Sequence, residues 1–254
     1  MSQNNKTYDG LIFTHIPKCG GTSLRDFFNR CGRKSGIKRT ERYIPGQNWL
    51  SVEKDYHRLG AKAQKRFLRK RYKIVAMHVG YNWHQKAAPY LQSPFYYIML
   101  RNPIDRVLSH YEFFNKKKGR GGVKGLSIND LTSNQLREIL ITSSNLSIIY
   151  LTKNIIRGGK VDTEDIDKAL SVLKTDYGSF GILEDMSSSL TLLQYTRPDW
   201  LDISEEINHK NRSYLKEELD AKVLQMIEDL NSREVEFYRR AKELFLKRKV
   251  EISV

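Results

Sequence analysis

The chain is poor in cysteine, holding only Cys19 and Cys31. Two cysteines in 254 residues do not make a disulfide framework, so both are read as reduced thiols. No spacing of Cys and His matches a zinc site, and no structural or catalytic metal is expected. Long hydrophobic runs are also missing: none approaches the roughly 20 residues that span a bilayer. The first residues, Met1-Ser2-Gln3-Asn4-Asn5-Lys6, are polar and lack the apolar stretch of a secretory leader. Read as written, the chain is expected in the cytoplasm without stable membrane insertion, although a catalytic domain cut from a longer anchored protein would look the same. There is no internal repeat and no long low-complexity segment.

Negative charge is scarce as well. Asp and Glu number 29 against 44 Lys and Arg, a net charge of +15, which draws polyanions at long range. A phosphorylated nucleotide, an acidic glycan, nucleic acid or an anionic membrane would all respond to it. No nucleic-acid module is recognisable, so nucleic acid is not the expected partner. Hydrophobic residues at 39% describe a globular chain with a real core. Residues 9–250 are expected to form one domain, with 1–8 as a ragged terminus.

Apolar strands alternate with amphipathic helices. Leu11-Ile12-Phe13-Thr14 reads as a strand, with His15 still inside it, and runs into the glycine-rich loop Pro17-Lys18-Cys19-Gly20-Gly21-Thr22-Ser23. A helix follows, capped by Thr22 or Ser23, with Leu24, Phe27, Phe28 and Cys31 on one face. Lys73–Met77 and Phe95–Leu100 are further strands, ending at His78 and Arg101. Pro103 opens a helix whose apolar face is Ile104, Val107, Leu108 and Tyr111. Residues 32–48 and 116–125 read as basic loops, and 51–70 as a basic helix. Helices are expected over 128–141, 145–153, 163–174 and 187–194, with a strand at Phe180–Leu183. The stretch 213–247 is helical and expected to split at Asn231, where Asn231 and Glu234 have the spacing of a capping box. This alternation predicts an α/β fold, a P-loop-like three-layer arrangement with a central, mostly parallel sheet flanked by helices. Ligands in such folds bind beyond the carboxyl ends of the strands. Lys18 with its loop, His78 and Arg101 all fall there.

Gly20 and Gly21 let backbone N–H groups approach an anion, and the helix start behind them adds partial positive charge. Thr22 and Ser23 offer hydroxyls, and Lys18 a mobile cation. The loop is not a Walker A motif, because its lysine precedes both glycines. Leu100-Arg101-Asn102-Pro103-Ile104-Asp105-Arg106-Val107-Leu108-Ser109 places an arginine fork where it can hold a second phosphate, with Ser109 two turns into the helix.

Together these motifs carry a resemblance. Phe13-Thr14-His15-Ile16-Pro17-Lys18-Cys19-Gly20-Gly21-Thr22-Ser23-Leu24 closely resembles the 5′-phosphosulfate loop of the carbohydrate sulfotransferases, in the group containing heparan sulfate 2-O-sulfotransferase. Cys19 stands where such proteins often carry Thr or another small residue. The stretch from Leu100 to Ser109 is similar to the 3′-phosphate motif of that family, and Gly181-Ile182-Leu183-Glu184 continues the likeness more weakly. Met77-His78-Val79-Gly80-Tyr81 looks like the His-Val-Ser-Tyr segment that carries a catalytic base there. The resemblance implies the donor 3′-phosphoadenosine 5′-phosphosulfate (PAPS) and sulfuryl transfer to an acceptor hydroxyl, without a metal. It implies that Lys18, Cys19, Gly20, Gly21, Thr22 and Ser23 hold the 5′-phosphosulfate, that Arg101 and Ser109 hold the 3′-phosphate, and that His78 is the base. Lys18 would also act in catalysis, stabilising charge on the departing phosphate.

Alternatives stay open at this level. Glu184 and His15 are rival bases, while His57, His84, His110 and His209 have no comparable support. An acidic or neutral glycan is the expected acceptor, and the basic segments 33–42, 62–73 and 116–124 could line its groove. Lys210 and Arg212 could close over the nucleotide. A P-loop kinase or NTPase is the rival enzyme reading, and a non-catalytic polyanion-binding protein the rival of another class. Oligomeric state and the identity of the acceptor are not readable from the residues.

Overall fold

The computed structural model describes residues 7–37, 73–78, 80–81, 88–152, 161–204, 207 and 219–252. Its centre is a four-stranded sheet of β1 (Gly10–Thr14), β2 (Ile74–Met77), β3 (Pro94–Leu100) and β4 (Tyr177–Ile182), in the order β2-β1-β3-β4. All three pairings are parallel, and Thr14 at the end of β1 lies opposite both Met77 and Ile98. Three neighbouring strands therefore end at one edge. The strand at Phe180 starts earlier than its apolar run suggests, at Tyr177, and Leu183 already belongs to a 3-10 turn.

The helices are α1 (Gly21–Lys34), α2 (Pro103–His110), α3 (Ser133–Ser143), α4 (Leu146–Thr152), α5 (Thr163–Thr175), α6 (Met186–Thr196) and α7 (Ala221–Ile252). In α1 the predicted face is the buried one: Leu24, Phe27, Phe28 and Cys31 are at most 1% exposed. Phe28 packs on Phe13 and Tyr97, while Phe245 of α7 packs on Phe180. Phe180 pairs with Ile98, the neighbour of Tyr97, so side-chain alternation puts α1 and α7 on opposite faces of the sheet. This is the expected α/β arrangement of helix layers on a parallel sheet.

Three local readings need correction. The helix expected over 128–141 is a 3-10 turn at Ile128–Asp130 followed by α3, because Thr132 and Gln135 form a capping box that starts a new helix. The segment from 116 is not simply a loop: α2 passes into a π-helical turn, Tyr111–Lys117, before a 3-10 turn at Arg120–Gly122. Nor is the last helix split at Asn231. It runs unbroken through Asn231 and Glu234, both buried. Asn231 Nδ2 donates within the helix to the Ile227 carbonyl. The Glu234 carboxylate has a different task. It accepts from Arg106 Nη2 at 2.8 Å and from the Ser147 backbone N–H at 2.9 Å. The expected helix at 51–70, most of the loop at 32–48 and the start of the last helix lie outside the described residues.

Arg106 is 0% exposed, and its Nη2 also donates to the Ser143 carbonyl. One guanidinium thus ties α2 to the α3–α4 junction and to α7. Removing one partner of a buried pair leaves the other charge desolvated, which costs about 3–5 kcal/mol. Arg106→Ala is expected to lose stability of that size in urea unfolding, whereas a paired Arg106→Met, Glu234→Met change recovers most of it. Equal loss in the single and paired variants would refute the pair as the cause.

Candidate functional site

The loop between β1 and α1 is built on left-handed backbone. Lys18 has φ 70° and Gly20 φ 71°. Gly20, not Thr22 or Ser23, is the N-cap of α1, and it brings no side-chain hydrogen bond to the first turn. The first turn of α1 also has no acidic residue. A helix start of this kind offers backbone N–H groups and a partial positive charge to an anion. Thr22 is exposed and Ser23 is nearly buried at the start of this helix. The Cys19 side chain is 1% exposed in the main core. Burial pushes its thiol up to about 12, so only the Cys19 backbone can face a ligand.

Arg101 leaves the end of β3 and donates from Nη1 to the Lys18 carbonyl at 3.0 Å. That bond holds the strained Lys18 backbone and brings two of the expected site residues together. The Lys18 ammonium lies 4.3 Å from the centre of the Phe113 ring, on the π-helical turn. Lys118 approaches the same ring at 4.4 Å. Burial, then the charges of Arg101, Lys117 and Lys118, lower the Lys18 pKa to about 8, against a weak opposing effect of Cys19. Phe113 is not legible in the residues alone, since nothing in its spacing distinguishes it from a helix-face aromatic. Ser109 is 8% exposed on α2. Among the described residues, no hydrogen bond joins it to Arg101.

His78 follows β2 directly and His15 follows β1, just past the strand rather than within it. Their rings stand 3.8 Å apart, and His78 Nδ1 bonds the His15 carbonyl at 2.7 Å. Burial lowers the His78 pKa to about 4, helped by the charge of Arg25 and opposed by the carbonyl bond. His15 is held well below the usual imidazole range by burial, His78, Arg25 and Lys18, in that order. Both rings are neutral near pH 7. Arg25, on the second turn of α1, is a site neighbour that the sequence reading did not single out. Glu184, the rival base, is engaged elsewhere: Oε1 accepts from the Asn102 N–H at 2.8 Å and Oε2 from the Tyr238 hydroxyl at 2.9 Å. His110 is buried on α2. His57, His84, His209, Lys210 and Arg212 lie outside the described residues, as does most of the basic segment 62–73.

The two loop glycines have separate reasons to be glycine. A Cβ on Gly20 would come within 2.8 Å of Leu183 Cδ1, on a backbone that disfavours one in any case. A Cβ on Gly21 would overlap the His15 ring. The arrangement joins an uncapped helix start, clustered cations and a neutral imidazole pair at one sheet edge. It can hold a polyanion and accept a proton beside it. Among the described residues no group of three or more His, Cys, Asp or Glu side chains is placed to hold a metal ion.

Comparison with known proteins agrees with this picture at the level of family. The sequence profile described as the Sulfotransferase family matches residues 5–152, more than half the chain and the span that carries Lys18, His78, Arg101 and Ser109. No curated protein matches the chain significantly.

Gly21→Ala is expected to lower stability by about 1–3 kcal/mol through overpacking against His15. Thermal unfolding checks it, and an unchanged melting temperature would show that the loop yields without strain.

Proposed function

The chain belongs to the sulfotransferase family, and from that premise we propose that it transfers a sulfuryl group from PAPS to an acceptor hydroxyl on a carbohydrate or glycoconjugate. The observation that carries the proposal is the company of Lys18: Arg101 bonds its carbonyl at 3.0 Å, and Lys118 shares the Phe113 ring with its ammonium. A partly buried lysine beside other cations favours a bound anion, and a nucleotide with phosphates at two positions supplies one. The N–H groups at Gly20, Gly21, Thr22 and Ser23 face the 5′-phosphosulfate in this reading, while Arg101 and Ser109 take the 3′-phosphate.

PAPS, when bound, supplies a sulfuryl group already activated by its link to phosphate. The residues do the rest. His78 takes the proton of the attacking hydroxyl, which a neutral imidazole can do without first losing one. Lys18 neutralises charge gathering on the oxygen that leaves with phosphate. The acceptor reading rests on resemblance and on the basic residues 116–124, of which Lys118 and Arg120 lie over Phe113 and Phe114 beside the loop. An acidic glycan suits that surface best, and neither nucleic acid nor membrane insertion enters the proposal. A kinase or NTPase reading gains nothing from the geometry, since Lys18 precedes both glycines.

Thermal-shift titration tests the donor. 3′-Phosphoadenosine 5′-phosphate without magnesium should stabilise the protein and Mg-ATP should not; the reverse result overturns the proposal. Lys18→Ala should weaken that binding by roughly 10–100-fold, the worth of one or two bonds to a charged group. Because the Lys18 pKa is lowered to about 8, the residue is charged below that pH and neutral above it. Affinity for the anion is therefore highest below about pH 8 and falls as pH rises through it, with proton uptake on binding near pH 8. Calorimetry in two buffers of different ionisation enthalpy reads the uptake. His78→Ala should cut turnover at least about 100-fold while nucleotide affinity holds.

A further inference from the structure

The two imidazoles at the strand ends have unequal access. His15 is 5% exposed, lies beneath Gly21 and stacks on Phe13 with ring centres 5.6 Å apart. His78 is less deeply buried. A ring covered by the loop on one side and by Phe13 and His78 on others is poorly placed to meet an acceptor hydroxyl. Yet it touches both halves of the reaction: the loop assigned to the donor, through Gly21, and the base, through a tilted ring contact and a carbonyl.

We propose that His15 is a positioning residue for His78, its carbonyl fixing the tautomer of the base and its ring setting the distance between the base and the donor loop. This rests on the reading of His78 as the base. A carbonyl oxygen can only accept, so the 2.7 Å bond obliges His78 Nδ1 to carry the proton. The lone pair is then on Nε2. In the reaction the O–H bond of the acceptor breaks and an N–H bond forms at Nε2, leaving an imidazolium whose Nδ1–H still points at the His15 carbonyl. The new S–O bond forms as the S–O bond to the departing phosphate breaks, so charge and protons balance without a further reagent. The carbonyl favours the imidazolium, as its effect on His78 indicates, against burial and the charge of Arg25 on α1. Lys18, from the loop, bears on His15. The ring contributes separately. Gly21 lies against the His15 ring and that ring against His78, with ring centres 3.8 Å apart, so a shift of the loop moves the base with it.

The test has a spectroscopic arm and a kinetic arm. Long-range 15N–1H correlation on the unsubstituted, ligand-free protein between pH 5 and 8 should show His78 with a pyrrole-type Nδ1 and a pyridine-type Nε2. The opposite tautomer overturns the proposal. In the kinetic arm, His15→Phe keeps carbonyl and ring, and His15→Ala keeps only the carbonyl. His15→Phe should hold turnover within about threefold of the parent, with the acidic limb of the kcat profile unmoved. His15→Ala should lose at least about tenfold in kcat and move that limb up by about one pH unit, toward the ordinary imidazole range. The KM for PAPS should stay within about threefold in both. Equal loss in both variants would mean that the His15 nitrogens do chemistry, and full activity with an unmoved limb in His15→Ala would mean that the ring positions nothing; either overturns the proposal. Should His15→Ala fail to fold, the tautomer and His15→Phe still decide. If instead His78→Ala keeps parental turnover, the base assignment itself falls, an outcome distinct from failure of the His15 variants alone.

Discussion

The Arg106–Glu234 pair is the contact on which the site rests. A guanidinium with no exposed surface bonds a carboxylate that is 1% exposed, and the two residues stand 128 apart in sequence. Its Nε and Nη1 find no partner among the described residues, so the pair does not recover its full desolvation cost through hydrogen bonds. What it supplies is placement. Arg106 is one turn past the N-cap of α2, where the Asn102 side chain accepts from the Ile104 and Asp105 N–H groups. Fixing Arg106 fixes that helix start, and with it Arg101 just before. Glu184 completes the arrangement by bridging the Asn102 N–H to Tyr238 on α7. The long last helix therefore grips the α2 start at two points. Both charges also reach Cys19, under the loop, with opposite effects on its thiol.

Above that base, the loop is assembled against electrostatic preference. Lys18 and Arg101 are joined although both are cations, because the bond uses the Lys18 carbonyl and not its ammonium. The ammonium rests over Phe113, whose ring face is a weak substitute for an anion. Lys118 shares the same ring. A π-helical turn holds Phe113 there, a geometry less favourable than the α-helix it interrupts and often found at functional positions. The protein has thus spent stability to keep cations close, a repulsion that the proposed polyanion would relieve. Preorganisation of this kind puts binding energy into the liganded state.

The sequence made the sheet edge legible and left the supports of the site obscure. Apolar runs ending in Lys18, His78 and Arg101 declare their place because strand–helix alternation forces parallel strands to end together. The buried face of α1 was equally plain, since Leu24, Phe27, Phe28 and Cys31 repeat at helical spacing. Asn231 and Glu234 misled for a physical reason. Their spacing is that of a helix cap, but a carboxylate goes to the strongest donor in reach, and Arg106 is invisible to any local pattern. The same limit applies to Gly21. Sequence can say that a glycine before a helix lets an anion come close; it cannot say that an imidazole lies on the other side. That the Cys19 side chain enters the core is equally hidden, since it follows from the left-handed backbone of Lys18 and Gly20 on either side.

The protonation states at the site follow from one arrangement rather than from separate tuning of each group. Burial lowers the pKa of His78, His15 and Lys18 alike, and neighbouring cations push in the same direction. Because imidazole starts lower than ammonium, a common downward shift leaves their order intact: His78 at about 4 and Lys18 at about 8. Between those values the imidazole is neutral and the lysine charged. The proposed transfer to a hydroxyl would use that combination, a lone pair toward the acceptor and a positive charge beside the leaving oxygen. A carboxylate placed near the loop to hold Lys18 would raise its pKa, but it would also repel the donor. Among the described residues, the groups that bear most on Lys18 are cations, and the proposed anion would restore its full charge.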